Sequence, residues 1–321
     1  MMDFTNRFLR YMLRRITKRS TLYTEMVNCN SIVHCPPSEL PRFLEYDRDS
    51  EHPVVLQLGG SDPKTLRRAC AISREWGYDA INLNCGCPSD RVAGSGCFGA
   101  ALMRDPVLTA EICEAMAEGA NGVPITVKCR IGVADTAAEA LAAEPEELFD
   151  SLSNFVETVS SRGGVRHFAV HARQAVLGGL SPDQNRKVPP LNYDVVHRLA
   201  VARPDLSFSL NGGVEWPQEA FSLCDGLAAA SWVWGKPEGH GRTSDDTTAG
   251  GGHISGVMVG RAFVNRPWSW ATVDSSLYGT PDPAVNRRAL LHDYAMYAER
   301  MEATHPQVRH FLASEWLMNN A

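Results

Sequence analysis

The chain has 321 residues, 44% of them hydrophobic, 21% charged and 8% aromatic, a globular composition that excludes disordered, collagenous and fibrous classes. No apolar run approaches the roughly 18 residues that a membrane crossing requires, which excludes a membrane-spanning protein. The formal net charge of −6 opposes wrapping a polyanion, although the charge is unevenly placed.

The chain opens with a helix-like stretch from Phe4 to Lys18 in which Arg7, Arg10, Arg14, Arg15, Lys18 and Arg19 face only Asp3. Such an asymmetric field can hold nucleic acid on one face. The stretch also has the basic, acid-poor composition of a transit peptide, but it stands where the first helix of a barrel belongs. Leu22-Tyr23-Thr24-Glu25-Met26 predicts a strand, followed by strands near 53–58, 79–84, 124–130, 166–171, 206–211 and 254–260. Helical periods lie between them. Asp62-Pro63 and Asp105-Pro106 supply a cap and a first-turn proline ahead of two of these helices, with apolar spacing at Leu66, Ala69, Ala71 and at Leu108, Ile112, Met116. Residues 131–150 hold Asp135, Glu139, Glu144, Glu146, Glu147 and Asp150 and no base.

This alternation predicts an α/β fold, a (β/α)8 TIM barrel, and the length suits the roughly 250 residues of such a barrel plus an appendage. Seven strands are one short of closure, so the barrel is expected to lack its first strand. The expected organisation is a barrel over 1–283, with an inserted surface loop at 228–253, and a partial C-terminal helical region over 284–321. The nine cysteines are scattered and odd in number, which predicts reduced thiols and a cytoplasmic setting. There is no Cys-x-x-Cys or His-Glu-x-x-His, and Cys85-x-Cys87 has no histidine nearby, so no metal site is expected.

Barrel chemistry sits at the carboxyl ends of the strands. Those ends carry Gln57; Asn84 and Cys87; Lys128 and Arg130; His171 and Arg173; Asn211-Gly212-Gly213; and Gly260-Arg261. Any one of these has a bland explanation, such as a solvated lysine, but six in succession do not. The glycines after the last two strands let backbone N–H groups approach an anion, and Arg261 adds a fork for the same oxygens, which predicts a phosphate-bearing cofactor or substrate. A thiol near Lys128 and Arg130 suits an acid or nucleophile. Spacing alone leaves Cys87, Cys85 and Cys97 as rivals for that role.

Several blocks together carry a family signature: Asn82-Leu83-Asn84-Cys85-Gly86-Cys87-Pro88-Ser89-Asp90-Arg91-Val92, Phe98-Gly99-Ala100-Ala101-Leu102-Met103, Val127-Lys128-Cys129-Arg130-Ile131-Gly132, His171-Ala172-Arg173, Gly179-Leu180-Ser181-Pro182 with Asn185-Arg186, and Asn211-Gly212-Gly213. Over roughly residues 4–280 the sequence closely resembles tRNA-dihydrouridine synthases, and within them the A-type branch that acts on D-loop uridines. The resemblance implies a barrel that binds FMN, with NADPH as reductant and tRNA as substrate; the sequence leaves the oligomeric state open, with a monomer the expectation. It implies cofactor contacts from Gln57, Lys128, His171, Asn211, Gly212, Gly213, Gly260 and Arg261. Cys87 becomes the proton donor, and Asn84, Arg130, Arg173 and Arg186 the substrate contacts. Two other classes remain in view: an aldolase-like barrel with Lys128 as Schiff base, and an RNA-binding barrel without cofactor.

Overall fold

A computed structural model describes residues 4–88, 98–224, 254–284 and 286–304. The expected insertion at 228–253, Cys97 and residues 305–321 lie outside the described residues. Seven parallel strands form one sheet in chain order: β1 Leu22–Asn28, β2 Val54–Gly59, β3 Ala80–Cys85, β4 Ile125–Arg130, β5 His167–His171, β6 Ser207–Asn211 and β7 Gly256–Met258. Their positions agree with the seven strands expected. Every residue of β2, β3 and β5 is buried, as a parallel sheet covered on both faces requires. Among the described residues β1 and β7 are the two edges, and neither pairs on its outer side.

The helices follow the βα rhythm: α1 Arg7–Ile16, α2 Pro63–Ser73, α3 Pro106–Ala120, α4 Pro145–Gly163, α5 Tyr193–Ala202, α6 Pro217–Leu223, α7 Arg261–Asn265, α8 Val273–Tyr278 and α9 Arg287–Thr304. The predicted caps are present. Asp62 Oδ2 accepts from the Thr65 N–H at 2.8 Å and Asp105 Oδ1 from the Leu108 N–H at 2.9 Å, satisfying donors that a helix start leaves orphaned. In α2 the core face is Leu66, Ala69 and Cys70, with Ala71 only half-buried.

Helix α1 belongs to the fold, and so do most of its arginines. Asn6 caps it by accepting from the N–H groups of Phe8 and Leu9, both at 3.1 Å. Met12 and Ile16 are buried in the core. Arg10 is buried against Glu51 at 2.6 Å. Buried Arg14 donates to the carbonyls of Glu51, Thr17 and Pro53. Arg7 pairs with Glu45 at 2.7 Å, and Arg15 lies over the Tyr11 ring. The arginine run that read as a field for nucleic acid is therefore largely internal wiring; of the six cations only Lys18 and Arg19 are exposed.

The C-terminal elements fold back on α1. Tyr297 of α9 stacks on Tyr11 with ring centroids 3.7 Å apart. Buried Asp274 of α8 accepts from the Thr17 hydroxyl and, at 2.6 Å, from the Lys18 N–H. One small element was not expected. Val133–Ala134 pairs in parallel with Ala175–Val176, tying the loop after β4 to the loop after β5.

Candidate active site

Parallel pairing places the polar strand ends in one row. Gln57 aligns with Asn82, Asn84 with Lys128, Arg130 with His171, and His171 with Asn211. Beyond β3 the chain turns at Gly86-Cys87. Asn84 Oδ1 accepts from the N–H groups of Gly86 at 3.1 Å and Cys87 at 3.0 Å, and the Cys87 carbonyl accepts from Ala100 N–H at 2.9 Å. A short amide side chain that copies a backbone turn in this way is the usual means of fixing such a loop. Asn84 Nδ2 donates to Gln57 Oε1 at 3.0 Å, so both residues are engaged with each other at the floor of the mouth.

The structure separates the thiols. Cys85 is completely buried, and burial pushes its thiol well above the ordinary cysteine range. Cys113 and Cys129 are likewise buried and pushed up to about 12. Cys87 is half-buried on the turn. Accessibility is what a reacting thiol needs, and between Cys85 and Cys87 only the latter has it.

Around that turn the lining is donor-rich. Lys128 is half-buried at its strand end, and withdrawal from water, then the neighbouring Arg130, lowers its ammonium to about 8. His171 is held far below the usual imidazole range by burial and then by Arg130, Lys128, Arg173 and Arg261, so it is neutral. Among the described residues no carboxylate pairs with Lys128, Arg130, Arg173 or Arg261. Cations gathered without a counter-charge destabilise one another, and an anionic, acceptor-rich group would relieve them.

Arg130 lies deeper than a substrate contact suggests. It is 3% exposed. Its Nε donates to the Gly86 carbonyl at 3.0 Å and its Nη1 to the carbonyls of Gln174 at 3.3 Å and Asn185 at 3.2 Å. The guanidinium thus joins three loops above the sheet, and its fork geometry suits that task better than a lysine would. Sequence signals the residue type but not the direction in which it points.

The other end of the row is built from glycines. Gly212 and Gly213 have φ of +110° and +76°, a region that side chains avoid. A Cβ on Gly212 would stand 2.6 Å from His171 Cδ2, and one on Gly213 2.8 Å from the Tyr193 hydroxyl. That hydroxyl donates to the Gly212 carbonyl at 2.5 Å. Asn211 Nδ2 reaches across to the Met258 carbonyl at 2.7 Å, stitching β6 to β7. Gly260 precedes α7, whose first residue Arg261 is exposed. Arg173 is half-buried and donates to the Pro189 carbonyl. Arg186 is half-buried and held by Asp183 at 3.3 Å, and Asp183 also binds Lys187 at 2.6 Å.

Two residues that sequence reasoning passed over complete the floor. Gln57 Nε2 donates to Asn82 Oδ1 at 2.9 Å, and Asn82 Nδ2 donates to Thr126 Oγ1 at 2.8 Å. A polar residue inside an otherwise apolar strand was the available signal. Among the described residues no group of His, Cys, Asp and Glu is placed to hold a metal ion, and no helix is long and apolar enough to cross a membrane.

A βα-wound parallel sheet whose strand ends gather a thiol turn, a cationic cluster and a glycine pair defines a barrel-type enzyme. Comparison with known proteins narrows this. The dihydrouridine synthase (Dus) family model matches residues 1–235. A tRNA-dihydrouridine(20/20a) synthase from Xanthomonas axonopodis pv. citri is 41% identical over 310 residues, covering 97% of this chain and 79% of that protein. The enzyme of the same description from Vibrio vulnificus is 37% identical over 310 residues (97% and 82%), and that from Escherichia coli K12 38% over 300 residues (94% and 74%). The chain belongs to the dihydrouridine synthase family, whose members are flavin-dependent oxidoreductases with a TIM-barrel fold.

Proposed function

We propose that this chain reduces a D-loop uridine of tRNA to 5,6-dihydrouridine, with FMN bound at the strand ends and NADPH as reductant. The observation that carries the reading is the donor-rich lining of the mouth beside the accessible Cys87 turn. Among the described residues Lys128, Arg173 and Arg261 are cations without a carboxylate partner, and Gln57 and Asn84 add amide N–H groups, which together suit the carbonyls and phosphate of a flavin mononucleotide. When bound and reduced, the flavin supplies the hydride that reaches uracil C6.

The chain's own residues do the rest. Cys87 delivers its thiol proton to uracil C5, general-acid work that needs the sulfur held at a fixed height over the base. Asn84 holds that height through the Gly86 and Cys87 N–H groups and keeps one amide hydrogen for the base. Lys128 and neutral His171 line the cofactor's ring side, where a nearby cation stabilises developing negative charge. Asn211, Gly212, Gly213, Gly260 and Arg261 hold the phosphate end, where backbone N–H groups approach closely because no Cβ intervenes. Arg173 and Arg186 stand at the rim for RNA phosphates, and Arg130 keeps the rim loops in place around a splayed-out base. The C-terminal region from residue 284 adds RNA surface. Cys29, Cys35, Cys70, Cys85, Cys87, Cys113 and Cys129 are free thiols, which suits a reducing compartment such as the cytoplasm.

The test is Cys87→Ala. Flavin content and NADPH-driven bleaching of the yellow protein should be retained, while dihydrouridine in the nucleosides of incubated tRNA disappears. Dihydrouridine formed at the wild-type rate by the variant would remove Cys87 from the mechanism, and a colourless wild-type protein that cannot be loaded with flavin would remove the reading itself.

A further inference from the structure

The amides along the floor of the mouth do not orient independently. Asn84 Oδ1 faces two backbone N–H groups, those of Gly86 and Cys87. A donor cannot face two donors, so the opposite end of this amide is Nδ2, and it meets Gln57 Oε1. Gln57 is thereby fixed as well. Its Nε2 points the other way, to Asn82 Oδ1, and Asn82 Nδ2 in turn reaches Thr126 Oγ1. Thr126 is 1% and Asn82 0% exposed, so neither faces bulk water. The relay crosses β2, β3 and β4 through the register that sets Gln57 beside Asn82 and Asn82 beside Thr126.

We infer that Asn82 and Thr126 are positioning residues for the protonation step: the turn N–H groups set the polarity of the Asn84–Gln57 pair, and Asn82 and Thr126 supply the buried partners that hold the pair in place and, through Asn84, the turn that carries Cys87. The inference rests on Cys87 being the proton donor. It has a chemical corollary. With both lone pairs of Asn84 Oδ1 taken by the turn, Asn84 offers the mouth only an N–H hydrogen, so the site favours an acceptor atom at that point. Reversing the relay would set Asn84 Nδ2 against the two turn N–H groups and release the turn. Removing the Thr126 hydroxyl leaves the buried Asn82 Nδ2 without the acceptor it has here, and an unpartnered buried donor is costly, so the relay loosens from that end.

Thr126→Val removes only the hydroxyl from a side chain of the same shape, Thr126→Ser restores it, and Asn82→Leu removes both relay bonds at that residue. Two readouts apply. The first is the rate at which iodoacetamide alkylates Cys87 in the purified, RNA-free protein, followed on the Cys87 peptide by mass spectrometry. The second is kcat and KM for tRNA, with flavin content measured alongside. Thr126→Val should lower kcat about tenfold, the cost of one buried hydrogen bond expressed as a rate. KM and flavin content should hold, Cys87 alkylation should change by a similar factor, and Thr126→Ser should restore both. Asn82→Leu should be more severe. A folded Thr126→Val protein with wild-type alkylation and kcat overturns the inference, as does a loss of thermal stability alone. Should wild-type protein form no dihydrouridine, the proposed activity fails, and the alkylation arm still decides whether the relay positions the turn.

Discussion

Lys128 is a strand-end residue whose charge state changes close to neutral pH. Burial and Arg130 bring its ammonium down to about 8, so in the protein without cofactor it loses its proton as pH rises through that value. An anion bound beside it favours the protonated form, and by linkage the anion binds best where the proton is already present. FMN affinity of the apoprotein should therefore fall between about pH 7 and 9, and Lys128→Arg should flatten the profile because a guanidinium keeps its charge there. Titration of flavin fluorescence at several pH values checks this, and a flat wild-type profile would contradict it. Arg130 shows the limit of reading such groups from sequence. Its place at a strand end marked it for the site, but its three bonds to backbone carbonyls depend on where the loops of Gly86, Gln174 and Asn185 come to rest. Those loops meet only in the folded chain.

At the scale of elements, the strands and the capped helices were legible because their signals are local. Period-two and continuous apolar runs mark β2 and β3, and Asp62-Pro63 and Asp105-Pro106 mark helix starts. The parallel ribbon of Val133–Ala134 with Ala175–Val176 was not legible, since two residues on each side carry no period and the pairing spans a long stretch of chain. Helix α1 was legible as a helix but not in its arginines, because charge reads as surface until its partner is known. Glu51, which is completely buried, takes Arg10 at 2.6 Å and also accepts from the Asp47 N–H at 2.9 Å. Breaking such a pair leaves a buried charge uncompensated, at about 3–5 kcal/mol, whereas replacing both partners together costs much less. Arg10→Met should lower unfolding stability by that amount in urea titrations, and Arg10→Met with Glu51→Met should recover most of it. Equal losses in the single and double variants would show that packing of the arginine stem, not the ion pair, holds this corner.

Over the whole molecule, the sheet is open at β1 and β7 among the described residues, and the contacts that draw its two ends together are helical, from Tyr11 on Tyr297 and from Thr17 and Lys18 on Asp274. A core arranged in this way is sensitive to a charge forced into its centre, and β5 and β6 hold a group able to supply one. His167 is buried between Ser207, whose hydroxyl is 2.8 Å from Nδ1, and Ser209, 3.2 Å from Nε2. Burial lowers its imidazole from 6.5 to about 4. The unfolded chain therefore binds a proton here over a range where the folded chain does not. Stability from this group is complete above about pH 6.5 and is lost as pH falls towards 4, by about 3 kcal/mol in all. Carboxylates titrate over part of the same range, so the diagnostic quantity is the difference from His167→Gln, a polar side chain of similar reach that takes up no proton. Unfolding free energy measured at pH 7 and pH 4.5 should drop more in wild-type protein than in the variant, with most of the 3 kcal/mol appearing in that difference. Parallel acid losses in the two proteins would mean that the strain of a charged core enters elsewhere, with the cluster around His171 the next group to replace.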